Sequence, residues 1–228
     1  MLMLLIGVVQ PGSAQDAIIG PDRYPAGINP LTGLTVENPD LLNRRPLIVK
    51  IDNHPPEIRP QSGINEADMV WEVLLAGGVT RFAAIYLSAD YPHVGPIRSC
   101  RLLDFELTRI YRSLFLCSGM AQGTLDRLRA DPLAMSRSIS RGGPCPPLCR
   151  FPSEGVAFEH TLFADTAAAR DLAVETGRDT TAEPLYGMAF NAAVPAGTAI
   201  NTMRIEYTRT VINWRYDAAA GLWMREED

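Results

Sequence analysis

The chain has 228 residues, which is enough to bury a full core and fits one domain plus a fragment of a second. Its formal net charge of -5 and pI near 5.3 argue against a nucleic-acid binder, which normally carries a basic face. Of 21 basic residues only Lys50 is a lysine, and the arginine fork suits carboxylate or phosphate recognition. A codon bias toward arginine is the alternative explanation.

The first predicted element is a signal segment at residues 1–15. The apolar run MLMLLIGVV precedes Gly12 and Ala14, which stand at the -3 and -1 positions of a signal-peptidase site. No lipobox cysteine follows, and the run is too short to span a bilayer. We therefore predict an exported protein, in the cell envelope or extracellular, without a transmembrane span after processing. Residues 16–43 are predicted to be a leader.

Residues 44–177 alternate strand and helix patterns. The apolar runs PLIVKID, DMVWEVLL and TRFAAIYL predict buried strands, and residues 76–79 predict a hairpin or tight bend between the last two. SLFLCSG predicts another strand. Helical spacing occurs in RLLDFELTRIYR, in AQGTLDRLRADP, which we expect Pro132 to end, and in FADTAAARDLAVETG. These patterns predict an α/β or α+β fold with a mixed central sheet and flanking helices.

The last part of the chain changes character. Residues 178–198 are predicted to be a linker, and residues 199–228 the truncated start of a β-rich C-terminal domain. The segment MRIEYTRTVINWRYDAAAGLWMRE predicts three strands in a meander with an Ala-Gly turn. This meander either completes the main sheet or belongs to the second domain.

The four cysteines of an exported chain can form disulfides. Cys145 and Cys149 lie in the turn-rich loop GGPCPPLCR, and we predict that they pair, with free thiols as the alternative. A single C-x-x-x-C spacing is a weak metal signal, so no metal site is predicted. Cys100 and Cys117 have apolar neighbours and are predicted to be small core residues, with a bridge between them left open.

Arginines at the ends of predicted elements are the main candidates for a site. Arg81 follows the glycine bend, and Arg98 and Arg101 flank Ser99 just before a predicted helix. Guanidinium groups and free backbone N–H groups in such a place can bind one anion. The alternative is that the arginines form structural ion pairs with nearby acids, namely Asp68, Glu72 and Asp104.

Four further residues complete the candidate set. Asp52 and Asn53 end the first strand, where they bind a ligand or cap their own turn. Glu72 stands across the hairpin from Arg81, and we predict that they lie close enough to pair. His160 is a candidate ligand residue, although a lone histidine is usually structural. No catalytic residue and no cofactor are assigned.

Several motifs together resemble one known family. They are NPLTGL, RPLIVKIDN, RPQSGINEADMVWE, GGVTRF, GPIRSCR and EHTLF, and the terminal INWRYDAAAGLWMR is similar to the start of a second domain. Their order and spacing resemble the YerB-like bacterial envelope family, also called domain of unknown function 3048. The resemblance implies an exported protein related to envelope lipoproteins, some of which are linked to peptidoglycan synthesis. No enzymatic activity is established for that family.

Three functions follow as hypotheses. The first is an envelope protein that binds an anionic or polar cell-wall component, such as a glycan, or a wall-synthesis protein through the arginines. The second is a phosphotransfer or hydrolytic enzyme that uses the same arginines with Asp52 or Glu72 as base or metal ligand. The third is a structural adaptor without a ligand site, which would present a broad apolar patch.

Overall fold

The computed structural model describes residues 18–139, 145–193 and 196–227. The predicted signal segment, residues 1–15, lies outside these ranges. Within them, every helix is too short or too polar to cross a membrane.

A four-stranded mixed sheet forms the centre of the fold. Its strands are β1 (Leu47–Asp52), β2 (Met69–Leu74), β3 (Thr80–Tyr86) and β4 (Leu114–Leu116), in the order β2-β3-β1-β4. β1 runs antiparallel to β3 and parallel to β4, and all six of its residues are buried. The central position of β1 explains its nearly continuous apolar run. The four strands and the mixed sheet confirm the predicted fold.

Among the described residues, four helices accompany the sheet: α1 (Leu102–Ile110), α2 (Gln122–Arg129), α3 (Pro132–Arg137) and α4 (Thr166–Glu175). α2 ends before Pro132, as expected, but Pro132 also begins α3, a helix that the sequence pattern did not predict. The Asp131 carboxylate accepts a hydrogen bond from the Ala134 N–H at 3.1 Å and so caps this helix. Proline at a first helical position is favourable because its missing N–H would have no partner there.

The remaining elements are short. β5 (Leu148–Arg150) pairs antiparallel with β6 (Leu162–Ala164), and neither strand was predicted because three residues show no period. The described connections contain four 3-10 helices: Pro39–Asn43, Pro56–Ile58, Ile64–Glu66 and Phe158–His160.

The C-terminal strands form a separate antiparallel sheet. β7 (Thr202–Glu206), β8 (Val211–Asp217) and β9 (Leu222–Glu227) follow in that order, which confirms the predicted meander. Its first turn packs on the β2–β3 turn, where the Arg209 N–H donates to the Gly78 carbonyl at 3.2 Å. Gly78 has a φ of +79°, and a Cβ there would lie 2.7 Å from Thr208. This position therefore requires glycine.

The central sheet has a core on each face. Alternate residues of β1 point to opposite faces, so Val49 and Ile51 pack toward β5, β6 and α4, whereas Ile48 packs with Phe105 of α1. Lys50 shares the α1 face with Ile48. This alternation places the charged residues of β1, Lys50 and Asp52, on the α1 face.

Both cysteine pairs are joined. Cys145 is bonded to Cys149, and Cys100 is bonded to Cys117. The second pair has Cα atoms 5.6 Å apart, and both residues are completely buried. It ties the loop that precedes α1 to the residue after β4, an option that the sequence left open.

The segment after α4 returns along the central sheet. Asp179 and Glu183 contact Arg45 at 2.9 Å and 2.8 Å, and Glu183 also contacts Arg137 at 2.7 Å. Farther along, Phe190 forms a β-bridge with Ile19. The first part of the predicted linker is thus fixed to the folded core by ion pairs.

Candidate functional site

The end of β1 supplies the central residue of the site. Asp52 is 1% exposed and stands opposite Arg81 in the antiparallel β1–β3 register. Residues directly opposite each other point to the same face of a sheet, so their side chains meet. Arg81 Nε lies 3.2 Å from Asp52 Oδ1.

A loop and a 3-10 helix bring two further side chains, those of Arg98 and His160, to the same carboxylate. The Arg98 N–H donates to the Lys50 carbonyl at 3.0 Å, which holds the loop against β1. Arg98 Nε lies 2.9 Å from Asp52 Oδ2. Its N–H is not directed at that oxygen, so the contact is an ion pair without a hydrogen bond. His160 Nδ1 lies 2.9 Å from the same oxygen. We call these four residues, Asp52, Arg81, Arg98 and His160, the Asp52 cluster.

A second buried ion pair lies beside the cluster. Lys50 Nζ is 2.7 Å from Asp104 Oδ1, and both side chains are completely buried. The other oxygen of Asp104 accepts a hydrogen bond from the Arg101 N–H at 2.6 Å. Burial lowers the pKa of Lys50, and the Asp104 charge opposes that shift. The Arg101 guanidinium donates to the carbonyls of Ser99 at 3.3 Å and Cys100 at 2.8 Å.

The cations outnumber the acids in this region. Four cations face two carboxylates there, even when His160 is neutral: Lys50, Arg81, Arg98 and Arg101 against Asp52 and Asp104. Burial lowers the pKa of Arg81, and the charges of Arg101 and Arg98 lower it further while Asp52 raises it. Arg81 Nη1 is buried without a hydrogen-bond partner among the residues described. The arrangement can therefore accept an anion.

Glu72 does not belong to this cluster, and the predicted Glu72–Arg81 pair is wrong. Glu72 is paired with Phe82, the residue after Arg81 in β3. The side chains of Glu72 and Arg81 therefore point to opposite faces of the sheet. Arg225 of β9 donates to Glu72 Oε1 at 2.6 Å, and Thr80 donates to the same oxygen at 2.7 Å. Burial lowers the pKa of Arg225, but its hydrogen bonds to Glu72 and Glu227 outweigh that effect and raise the pKa.

Asn53 belongs to this second network. Its side-chain amide donates to Thr80 Oγ1 at 2.8 Å and to Glu227 Oε2 at 2.6 Å. Its backbone N–H donates to Asp52 Oδ1 at 3.1 Å, which is the predicted turn cap. Asp52 thus caps its own turn and also forms ion pairs.

The candidates from the sequence therefore separate into groups. The structure brings Arg81, Arg98 and His160 to Asp52, with Arg101 nearby, and places Asn53 and Glu72 next to the C-terminal sheet. Ser99 Oγ makes no hydrogen bond to a described residue and lies beside Gly119. In the described ranges no group of three or more potential metal ligands occurs.

Two charged residues of the region, Lys50 and Asp104, were not predicted to pair with each other, and Asp104 was named only as an ion-pair partner of the arginines. Lys50 and Asp104 form its buried ion pair. The signal for Lys50 was a single charge inside an apolar strand, since such a charge must find a partner when buried. No sequence signal identified Asp104 as that partner.

Comparisons with known proteins connect this chain to one family. The family model described as "Protein of unknown function (DUF3048) N-terminal domain" matches residues 31–179. The "Putative lipoprotein YerB" of Bacillus subtilis (strain 168) is 42% identical over 101 residues, which are 44% of this chain and 30% of that protein. The crystal structure of YerB from Bacillus subtilis matches with a TM-score of 0.67 and 26% identity. That match covers 88% of this chain and 66% of the solved one. The chain thus spans less than two thirds of the length of each of these two relatives.

Proposed function

The chain belongs to the DUF3048 family, and from this membership and the charges around Asp52 we propose that it is an envelope protein that binds an anionic cell-wall component. The anionic group would contact Arg81 and Arg98 at the Asp52 cluster. The relative named as a lipoprotein and the apolar run within residues 1–15 support the location in the envelope.

One observation carries the choice of an anion. Arg81 Nη1 is buried without a hydrogen-bond partner in the described structure, and its neighbours Arg98 and Arg101 are also cations. A buried donor without a partner costs about 1–3 kcal/mol, and more when it is charged. A phosphate or carboxylate oxygen would give this donor an acceptor and reduce the repulsion among the arginines.

Calorimetric titration tests this proposal, first with inorganic phosphate and then with purified wall fragments. Arg98→Ala should weaken binding about tenfold or more, because a hydrogen bond to a charged group contributes about 1.5–3 kcal/mol. Arg127→Ala is the matched control, since Arg127 is exposed on α2 and makes no ion pair with a described residue. Absence of binding by the wild type, or equal affinity of wild type and Arg98→Ala, would contradict the proposal.

A second candidate function is binding of a wall-synthesis protein at the open edge of the central sheet. β2 is the edge strand, and Val70, Trp71 and Leu74 are 39%, 39% and 50% exposed. An exposed apolar edge strand can pair with an extended segment of a partner. Leu74→Asp should then abolish capture of that partner from envelope extract. Leu222→Asp, at a leucine of β9 that is 59% exposed, should not change it.

A further inference from the structure

We propose that the Asp52 cluster is a hydrolytic site, in which His160 is the general base for the attack of water on a phosphoester held by Arg98 and Arg81. This inference rests on the proposed anion binding and adds an activity to it.

The contact between Asp52 and His160 leaves one ring nitrogen free to act as a base. Asp52 Oδ2 lies 2.9 Å from His160 Nδ1. A carboxylate only accepts hydrogen bonds, so it favours the tautomer that carries its proton on Nδ1 and a lone pair on Nε2. Asp52 is 1% exposed, and a buried carboxylate in this position orients the imidazole and stabilises the imidazolium that forms.

Nε2 is available in the structure. The His160 side chain is 10% exposed, and in the described part of the chain Nε2 makes no hydrogen bond. His160 therefore has the free nitrogen that a base requires.

Arg98 is next to this base. Arg98 Nε and His160 Nδ1 both lie 2.9 Å from the same oxygen of Asp52. Arg98 Nη1 donates to the Glu159 carbonyl at 3.4 Å, whereas Nη2 makes no hydrogen bond to a described residue. A phosphoryl group held by Arg98 would thus lie beside His160, and Arg81 would add a second positive charge. Arginines so placed stabilise the charge of a phosphoryl transition state.

Backbone hydrogen bonds hold the two segments that carry Arg98 and His160. The Ile97 N–H donates to the Leu162 carbonyl at 2.7 Å, and Val94 and Ala164 exchange two hydrogen bonds at 2.8 Å. The loop before α1 is therefore bound to β6, which begins two residues after His160. Such support keeps a base and an anion-binding group at a fixed separation.

The proposed step is a hydrolysis and involves no oxidation or reduction. The water oxygen forms a bond to phosphorus while one water proton moves to His160 Nε2. The bond between phosphorus and the leaving alcohol oxygen breaks, and that oxygen takes a proton from the imidazolium or from solvent. The products are an alcohol and a phosphate, and His160 returns to its neutral form.

The test measures release of p-nitrophenol from p-nitrophenyl phosphate and bis(p-nitrophenyl) phosphate. His160→Asn is the main variant, because its amide N–H can still donate to Asp52 while Nε2 is lost. We expect kcat to fall about 100-fold or more, the usual contribution of a general base. Affinity for inorganic phosphate should stay close to that of the wild type. His93→Asn is the matched control and should retain kcat, since His93 stacks on Phe163, packs edge-to-face against Phe151 and makes no hydrogen bond or ion pair with a described residue.

Each other outcome overturns the inference. If the wild type binds phosphate but hydrolyses neither ester, the site binds anions without catalysis, and the proposed function stands alone. If neither binding nor release occurs, both proposals fail. Release that is unchanged in His160→Asn excludes His160 as the base.

Thermal unfolding of every variant checks the fold, and if His160→Asn is unfolded, His160→Gln takes its place.

Discussion

The Asn53 side-chain amide donates a hydrogen bond to Glu227 Oε2 at 2.6 Å and joins the end of β1 to the last strand of the C-terminal sheet. The Glu227 side chain is 3% exposed and also contacts Arg59 and Arg225, each at 2.5 Å. Because Asn53 directly follows Asp52, the C-terminal sheet is attached beside the Asp52 cluster.

Removal of the Glu227 carboxylate should destabilise the protein. Glu227→Ala would remove one carboxylate partner from each of two partly buried arginines, and breaking a buried pair costs about 3–5 kcal/mol. We expect a loss near the lower end in urea unfolding, because Arg225 keeps Glu72. Glu226→Ala is the control, since its side chain is exposed and its one ion pair with a described residue is the 3.7 Å contact to Arg215. Equal losses in both variants would contradict a specific role for Glu227.

The buried Lys50–Asp104 pair should be sensitive to removal of its cation. Lys50→Met would leave the Asp104 carboxylate in a completely buried place, with an expected cost of about 3–5 kcal/mol in chemical unfolding. The double variant Lys50→Met, Asp104→Asn should recover part of this loss because the uncompensated charge is removed. A double variant that is less stable than Lys50→Met alone would argue against this explanation.

Glu72 and Arg81 should act independently. Because they lie on opposite faces of the sheet, the unfolding free energies of Glu72→Gln and Arg81→Ala should add within about 0.5 kcal/mol in the double variant. Arg81→Ala should weaken phosphate binding about tenfold, the loss of one hydrogen bond to a charged group. Glu72→Gln should leave it unchanged. A large coupling energy, or loss of binding in Glu72→Gln, would reverse this assignment.

The ion pairs of Glu183 predict a dependence of stability on pH. Its hydrogen bond to Arg45, with the charges of Arg45, Arg137 and Arg112, holds the pKa of Glu183 below its usual value of 4.5. A carboxyl group with a lowered pKa stabilises the fold at pH values above its usual pKa. This contribution is lost as the pH falls through the pKa of the folded state. Glu183→Gln should therefore be less stable than wild type at neutral pH.

At about pH 3 this difference should become smaller, because the wild-type carboxylate is then increasingly protonated. Urea unfolding of both proteins at the two pH values measures the change. A difference that is independent of pH would show that the Glu183 charge is not its source.

The two disulfides should differ in how readily they are reduced. Cys100 and Cys117 are completely buried, whereas Cys145 is exposed and Cys149 is half-buried. Under mild reductant without denaturant, mass spectrometry after alkylation should find label on Cys145 and Cys149 first. Non-reduced protein should carry no label. Free thiols in material kept oxidising, or earlier label on Cys100, would contradict this prediction.

Local patterns in the sequence predicted most of the fold. The apolar runs of β1, β2 and β3, the helical spacing of α1 and α4, and the meander all depend on near neighbours. The strand order was not predictable, because β4 pairs parallel with β1 after a long connection. β5 and β6 were too short to show a period.

The site was predictable only in part, because its geometry depends on exact register and on distant contacts. One residue of register separates Glu72 from Arg81, and such a shift moves a side chain to the other face. His160 reaches Asp52 across 108 positions of sequence. The arginines were identified by their residue type and their place at the ends of elements. Asp52, the partner that Arg81 and Arg98 share, could be identified as such only from the folded structure.

The burial of Lys50 restricts the reagents that can be used to find a partner. Lys50 is the only lysine of the chain and its side chain is completely inaccessible in the fold. Cross-linkers that react with lysine amines therefore have no lysine target on the folded protein, and a negative result with them would say nothing about binding. Photoreactive or carboxylate-directed cross-linkers can instead react with the acidic side chains that remain on the surface.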